Sequence, residues 1–129
     1  MSKGVFGFTK LVVGDLDRSM AFYRDVAGLE EDRRISEVVG GRAMTEIIMT
    51  PPAPDAAPLV LLTFLDSPKP AAGDSILGFR TTDVAAFVDR AIKAGGSIMQ
   101  PIIDMPQHGV KVAFVRDNEG HLIEVVEPL

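Results

Sequence analysis

The stretch TKLVVGDLDRSMAFYRDVAGL, residues 9–29, changes rhythm twice. It opens on a strand-like apolar run. Asp15 then stands where a carboxylate can accept the free N–H groups of a helix start. Leu16, Met20, Tyr23 and Val26 come next at helical spacing and form one apolar stripe. Gly28 suits a left-handed helix stop. The same succession returns 68 positions later, with Asp83 in the place of Asp15. Its stripe is Val84, Phe87, Val88, Ala91 and Ile92, and its stop is Gly95-Gly96.

The segments beyond the two helices also match. After the first come a polar strand over residues 30–38, a Gly40-Gly41 turn, a strand over residues 42–49, a Pro-rich loop and the apolar strand PLVLLTFL. After the second come SIMQPIID, the loop MPQHG, the strand VKVAFVRD, the tight turn NEG and the strand HLIEVVEPL. The pattern predicts an α+β chain of two βαβββ modules. Module one covers about residues 1–66 and module two residues 75–129, joined by the Pro- and Gly-rich segment 67–74, within a single domain over residues 1–129. Period-two counting puts Thr9, Leu11 and Val13 on one face of the first strand and Phe8, Lys10 and Val12 on the other. In the fifth strand it separates Leu77, Phe79 and Thr81 from Ile76, Gly78 and Arg80. The first set of each strand should lie under a helix.

Composition narrows the function classes. With 129 residues, 47% of them hydrophobic, the chain can bury a core without covalent staples. A net charge of −5 offers nucleic acid or an anionic membrane no attraction. The absence of cysteine removes disulfides, thiolate nucleophiles and thiolate-held metals. No apolar run is long enough to span a bilayer, and MSKGVFGF lacks the core of a secretory signal, so the expected location is the cytoplasm. There is no Gly-rich phosphate loop and no serine elbow.

Two passages carry a family resemblance. GDLDRSMAFYRDVAGL resembles the first strand-to-helix passage of the vicinal oxygen chelate superfamily, and FVRDNEGHLIEVVEP resembles its closing hairpin, D-x-x-G-x-x-I-E. That superfamily includes glyoxalase I, extradiol dioxygenases, and fosfomycin- and bleomycin-resistance proteins. The resemblance implies paired modules whose curved sheets form a cup with helices outside, and a homodimer. It also implies a test. Members with a metal hold it on four cup-facing strands, using His at the start of the first and fifth and Glu or another ligand in the fourth and eighth. Carried onto this chain, those positions are Phe8, Ile76, Leu61 and Glu124. Only Glu124 has a donor atom, and a cation needs several. The resemblance therefore implies a member lacking most metal ligands, and neither metal nor cofactor is expected. His121 and Glu124 are three apart on a strand and point to opposite faces, so they do not rebuild a site with His108. His121 reads as a surface or helix-side residue.

Without ligands, the cup-facing positions read as a small-molecule pocket: an apolar lining with a few placed polar groups. The expected ligand contacts are Phe8, Lys10, Val12, Leu61, Thr63, Ile76, Arg80, His108 and Leu122, with Glu124 as a candidate acid or base. Met44, Met49, Met99 and Met105 could line an adaptable pocket or fill the core. Lys10 and Arg80 favour an anionic group, unless one of them pairs with Glu124. The leading expectation is metal-independent binding of a small, largely apolar organic ligand, as in bleomycin-resistance-like proteins. The alternative is a metal-free isomerase or lyase that uses Glu124 as acid or base, with Arg80 or Lys10 holding an oxyanion. A metal-dependent lactoylglutathione lyase or dioxygenase is the third.

Overall fold

A computed structural model describes residues 3–66, 70, 72–73 and 75–129. Residues 67–69, 71 and 74 of the expected joint lie outside the described residues. The order is β1 (Thr9–Val12), α1 (Leu16–Ala27), β2 (Glu30–Val39), β3 (Arg42–Thr50), β4 (Leu59–Phe64), β5 (Ile76–Arg80), α2 (Val84–Lys93), β6 (Ser97–Met105), a 3-10 turn (Pro106–His108), β7 (Val110–Arg116) and β8 (Leu122–Pro128). This is βαβββ twice, with two mixed sheets of order β1-β4-β3-β2 and β5-β8-β7-β6. In each sheet a parallel pair, β1 with β4 or β5 with β8, adjoins antiparallel pairs. The chain divides into two compact units: Met1–Met20 with Gly28–Pro70, and Ala21–Ala27 with Ala71–Leu129.

Both helix starts form as the carboxylates predict. Asp15 accepts the Arg18 N–H at 3.1 Å and Asp83 the Ala86 N–H at 3.0 Å. The second start has a further cap that local reading missed. Glu127 on β8 accepts the Val84 N–H at 2.8 Å, a contact made across the fold and not along the chain.

In the first unit the pleat sends Leu11, Leu61 and Ile47 into one buried row, and Val13 and Met49 join that face. Lys10 and Val12 occupy the other face. Strand β2 is exposed over nearly its whole length.

In the second unit Ala113, Val115, Ile123 and Val125 form the buried face of β7 and β8. Helix α2 packs on β6, β7 and β8 through Val84, Phe87, Val88 and Ala91. The Phe79 ring lies 6.3 Å from Tyr23 and 5.6 Å from Phe87 between centroids. Fully burying side chains of the size of Phe22, Tyr23 and Val26 contributes about 1.5–3 kcal/mol each. Arg90 on α2 donates to the Val26 carbonyl at 3.1 Å and so satisfies an orphan acceptor in the last turn of α1. Gly96 permits a close backbone approach: a Cβ there would collide with the Arg116 and Ala91 carbonyls.

The turn after β7 is held by one carboxylate. Asp117 Oδ1 accepts the Glu119 N–H at 2.8 Å and the His121 N–H at 2.9 Å. Oδ2 accepts the Tyr23 hydroxyl at 2.7 Å and lies 2.9 Å from His121 Nδ1. Burial pushes the Asp117 carboxyl up. Hydrogen bonds from His121, Tyr23 and the two backbone N–H groups outweigh that effect and hold it below its ordinary value. Burial, then the Asp117 charge, raise Tyr23 well above the usual phenol range. His121 thus lies on the helix side and is buried, the second of the two placements its sequence position allowed.

Candidate functional site

Each unit has one sheet face that carries candidate residues. In the first, Phe8 precedes β1 and is 54% exposed, and Lys10 and Val12 share its parity. The parallel register pairs Lys10 with Val60 and Val12 with Leu62. Leu61 and Thr63 therefore sit on the opposite face from Phe8, Lys10 and Val12. This corrects the expectation that they share the ligand-facing side. Leu61 pairs with Leu11 and Ile47 and is 0% exposed. The run LVLLTF is apolar on both sides and does not reveal its phase. The second sheet gives the fourth-strand counterpart of Glu124. Gly78 partners Glu124 there, and Gly78 repeats Lys10, whose partner is Val60. Val60 offers no donor atom either.

Lys10 does not stand alone on this face. Its ammonium lies 3.2 Å from the carboxylate of Glu46, whose side chain is 7% exposed. Sequence reading missed Glu46, because a glutamate inside RAMTEIIMT gives no sign of its partner. Lys10→Met strands that carboxylate and is expected to cost about 1–3 kcal/mol. The lower half of that range applies, since Lys10 is 41% exposed. Urea denaturation of the two proteins measures it.

In the second unit the face is built from registered rows. Ile76 partners Leu122, Glu124 lies between Gly78 on β5 and Phe114 on β7, and Val126 lies between Arg80 and Val112. Ile76 and Arg80 are exposed, and Leu122 is half-buried. A cavity of about 360 Å³ opens on the β6–β8 side of this face. Its apolar wall is Ile103, Met105, Val110, Val112 and Phe114, and its polar groups are Gln100, His108 and Glu124. His108 arrives because Pro106 opens a 3-10 turn and Gly109, at φ 70°, closes it in the left-handed region. The structure thus brings two candidates, His108 and Glu124, to one cavity. Met105 joins them, whereas Met44 and Met49 are core residues and Met99 is exposed. Gln100 and Ile103 were missed because β6 shifts register twice, between Ile98 and Gln100 and again between Gln100 and Ile103. Such bulges defeat parity counting.

The donor set does not fit a family metal. Phe8, Ile76 and Val60 carry hydrocarbon where ligands would be needed. Among the described residues no group of three or more His, Cys, Asp or Glu could hold an ion. No helix among them is long and apolar enough to cross a membrane.

The glyoxalase/bleomycin resistance protein/dioxygenase superfamily matches residues 5–125, and the chain belongs to that superfamily. A lactoylglutathione lyase of Neisseria meningitidis is 26% identical over 121 residues, covering 92% of this chain and 87% of its own. A glyoxalase family protein from Bacillus cereus has the same fold, with a TM-score of 0.84, 21% identity and coverage of 100% of this chain and 99% of that one. A glyoxalase I mutant from Zea mays matches with a TM-score of 0.75 and 23% identity, over 94% of this chain and 46% of that one.

Proposed function

We propose that this protein binds a small, largely apolar organic molecule, without a metal, on the second-unit face that carries Glu124. The observation that carries this reading is the cavity of about 360 Å³ with five apolar side chains and three polar ones. That volume and lining are typical of small-molecule sites. The four-strand donor positions support the metal-free half of the reading, since three of them hold hydrocarbon. Leu122, Ile76 and Arg80 extend the same face beyond the cavity and are proposed as outer contacts. On the first unit, Phe8, Lys10 and Val12 are proposed as contacts on their own exposed face.

Methionine methyl NMR tests the reading. Titration with small apolar aromatics is expected to shift the Met105 methyl while leaving that of Met49, in the first-unit core, unmoved. Shifts confined to exposed sites such as Met99, or none at all, would reject it. Metal analysis is a second check, and a stoichiometric divalent ion in purified protein would return the lactoylglutathione lyase comparison to first place.

One observation favours a second reading, a metal-free isomerase or lyase. His108 lines the same cavity as Glu124, so a proton acceptor and a proton donor share one site. Turnover that vanishes in Glu124→Gln while ligand affinity persists would establish it. We further propose a homodimer. Strand β6 is a sheet edge with Ile98, Met99 and Ile102 exposed, apolar side chains that a second copy would cover. Light scattering that returns the mass of one chain would reject this.

A further inference from the structure

The cavity in the second unit has a charge pattern that names its ligand more closely. Among the described residues its lining contains one carboxylate, Glu124, and no lysine or arginine. Among the described residues nothing hydrogen-bonds to the Glu124 side chain and no cation pairs with it. Glu124 is half-buried, and its carboxylate shares the cavity with Phe114, Val112 and Met105 with no partner among the described residues. A carboxylate set in an otherwise apolar lining is suited to act as counter-ion to a cationic group that enters the cavity.

The backbone leaves room for that partner. Gly78 is the registered neighbour of Glu124 on β5, and a Cβ at Gly78 would meet nothing within 4 Å. The carboxylate is therefore uncrowded on its β5 flank as well as toward the cavity. The two cations that sequence reading offered to an anion are placed differently. Lys10 is already paired with Glu46. Arg80 partners Val126, one row beyond Glu124, and does not line the cavity. Met105 and Phe114 suit an apolar or aromatic body, and a thioether adapts to varied shapes. A chain of net charge −5 also concentrates cations at its surface.

We infer that the cavity takes an apolar molecule carrying a protonated amine, with Glu124 as its counter-ion and the Ile103–Met105–Phe114 wall holding the body. This rests on the binding function proposed above and reverses the sign of charge that Lys10 and Arg80 suggested in the sequence.

Three probes of one shape test it: phenylbutylamine, phenylbutanol and phenylbutyrate, titrated calorimetrically into the full chain at neutral pH. The amine is expected to bind at least about tenfold tighter than the alcohol, with the carboxylate weakest. Added salt should weaken the amine and leave the alcohol unaffected. Glu124→Gln, checked for folding by circular dichroism, should bring the amine and the alcohol to equal affinity. A preference for the amine that survives in Glu124→Gln would overturn the inference, because bulk charge would then be its source. Equal binding of alcohol and amine to the unmodified chain would also overturn it and leave the binding reading intact. Tightest binding by the carboxylate would do the same and give the selectivity to Arg80. If no probe binds and the Met105 methyl stays unmoved, the binding reading falls and this inference falls with it.

Discussion

Asp117→Ala is expected to lower stability by about 3–5 kcal/mol, because it removes the acceptor that four donors share in a buried turn. The Asp117 side chain is 0% exposed and that of His121 6%, so water cannot replace the lost acceptor. The Tyr23 hydroxyl and the Glu119 and His121 N–H groups would all lose this carboxylate acceptor. Equilibrium urea denaturation followed by circular dichroism reads the loss, and a change under about 1 kcal/mol would show that the cluster is not a structural centre. The effect has a defined pH dependence. The Asp117 carboxyl is held below its ordinary value in the folded chain, so its contribution is complete above the unfolded value of about 4. It is lost as pH falls through the depressed folded value. The stability gap between the parent and Asp117→Asn should therefore close in acid. A gap that widened in acid would mean that the folded carboxyl sits above its ordinary value.

Leu61→Glu is the second large effect. If Leu61 faced outward with Phe8, a glutamate there would be tolerated. The register puts it instead in the buried row with Leu11 and Ile47. A carboxyl in that row must either stay charged without a partner or take up a proton several pH units above its normal range. Together with the lost leucine packing, this is expected to cost about 4 kcal/mol or more. Neither zinc nor nickel should restore the midpoint. Denaturation with and without each metal measures this, and a mild cost with metal rescue would return Leu61 to the ligand-facing side.

The two substitutions probe features that differed in legibility. The turn NEG was recognisable as a tight turn between two alternating runs, and the structure puts Gly120 at φ 94° with Asp117 accepting the Glu119 N–H. That its carboxylate also receives a tyrosine 94 positions earlier in the chain was not. The same holds for Glu127 capping α2 and for Glu46 holding Lys10. Each is an ordinary acidic residue in a strand until a distant partner arrives. For Leu61, counting by twos on β1 was sound, but β4 has hydrocarbon on both faces and only its pairing with Leu11 set the phase.

The repeated βαβββ order, both helix starts and stops, and the lack of donors at three of four metal positions could all be read from the chain. Those features are set by neighbours within a few residues or by side-chain chemistry alone. The choice of Val60 over Leu61, the meeting of His108 with Glu124, and the neutralisation of Lys10 had to wait for folding. They depend on strand register and on bulges around Pro101, which pairing across the sheet decides and local periodicity does not encode.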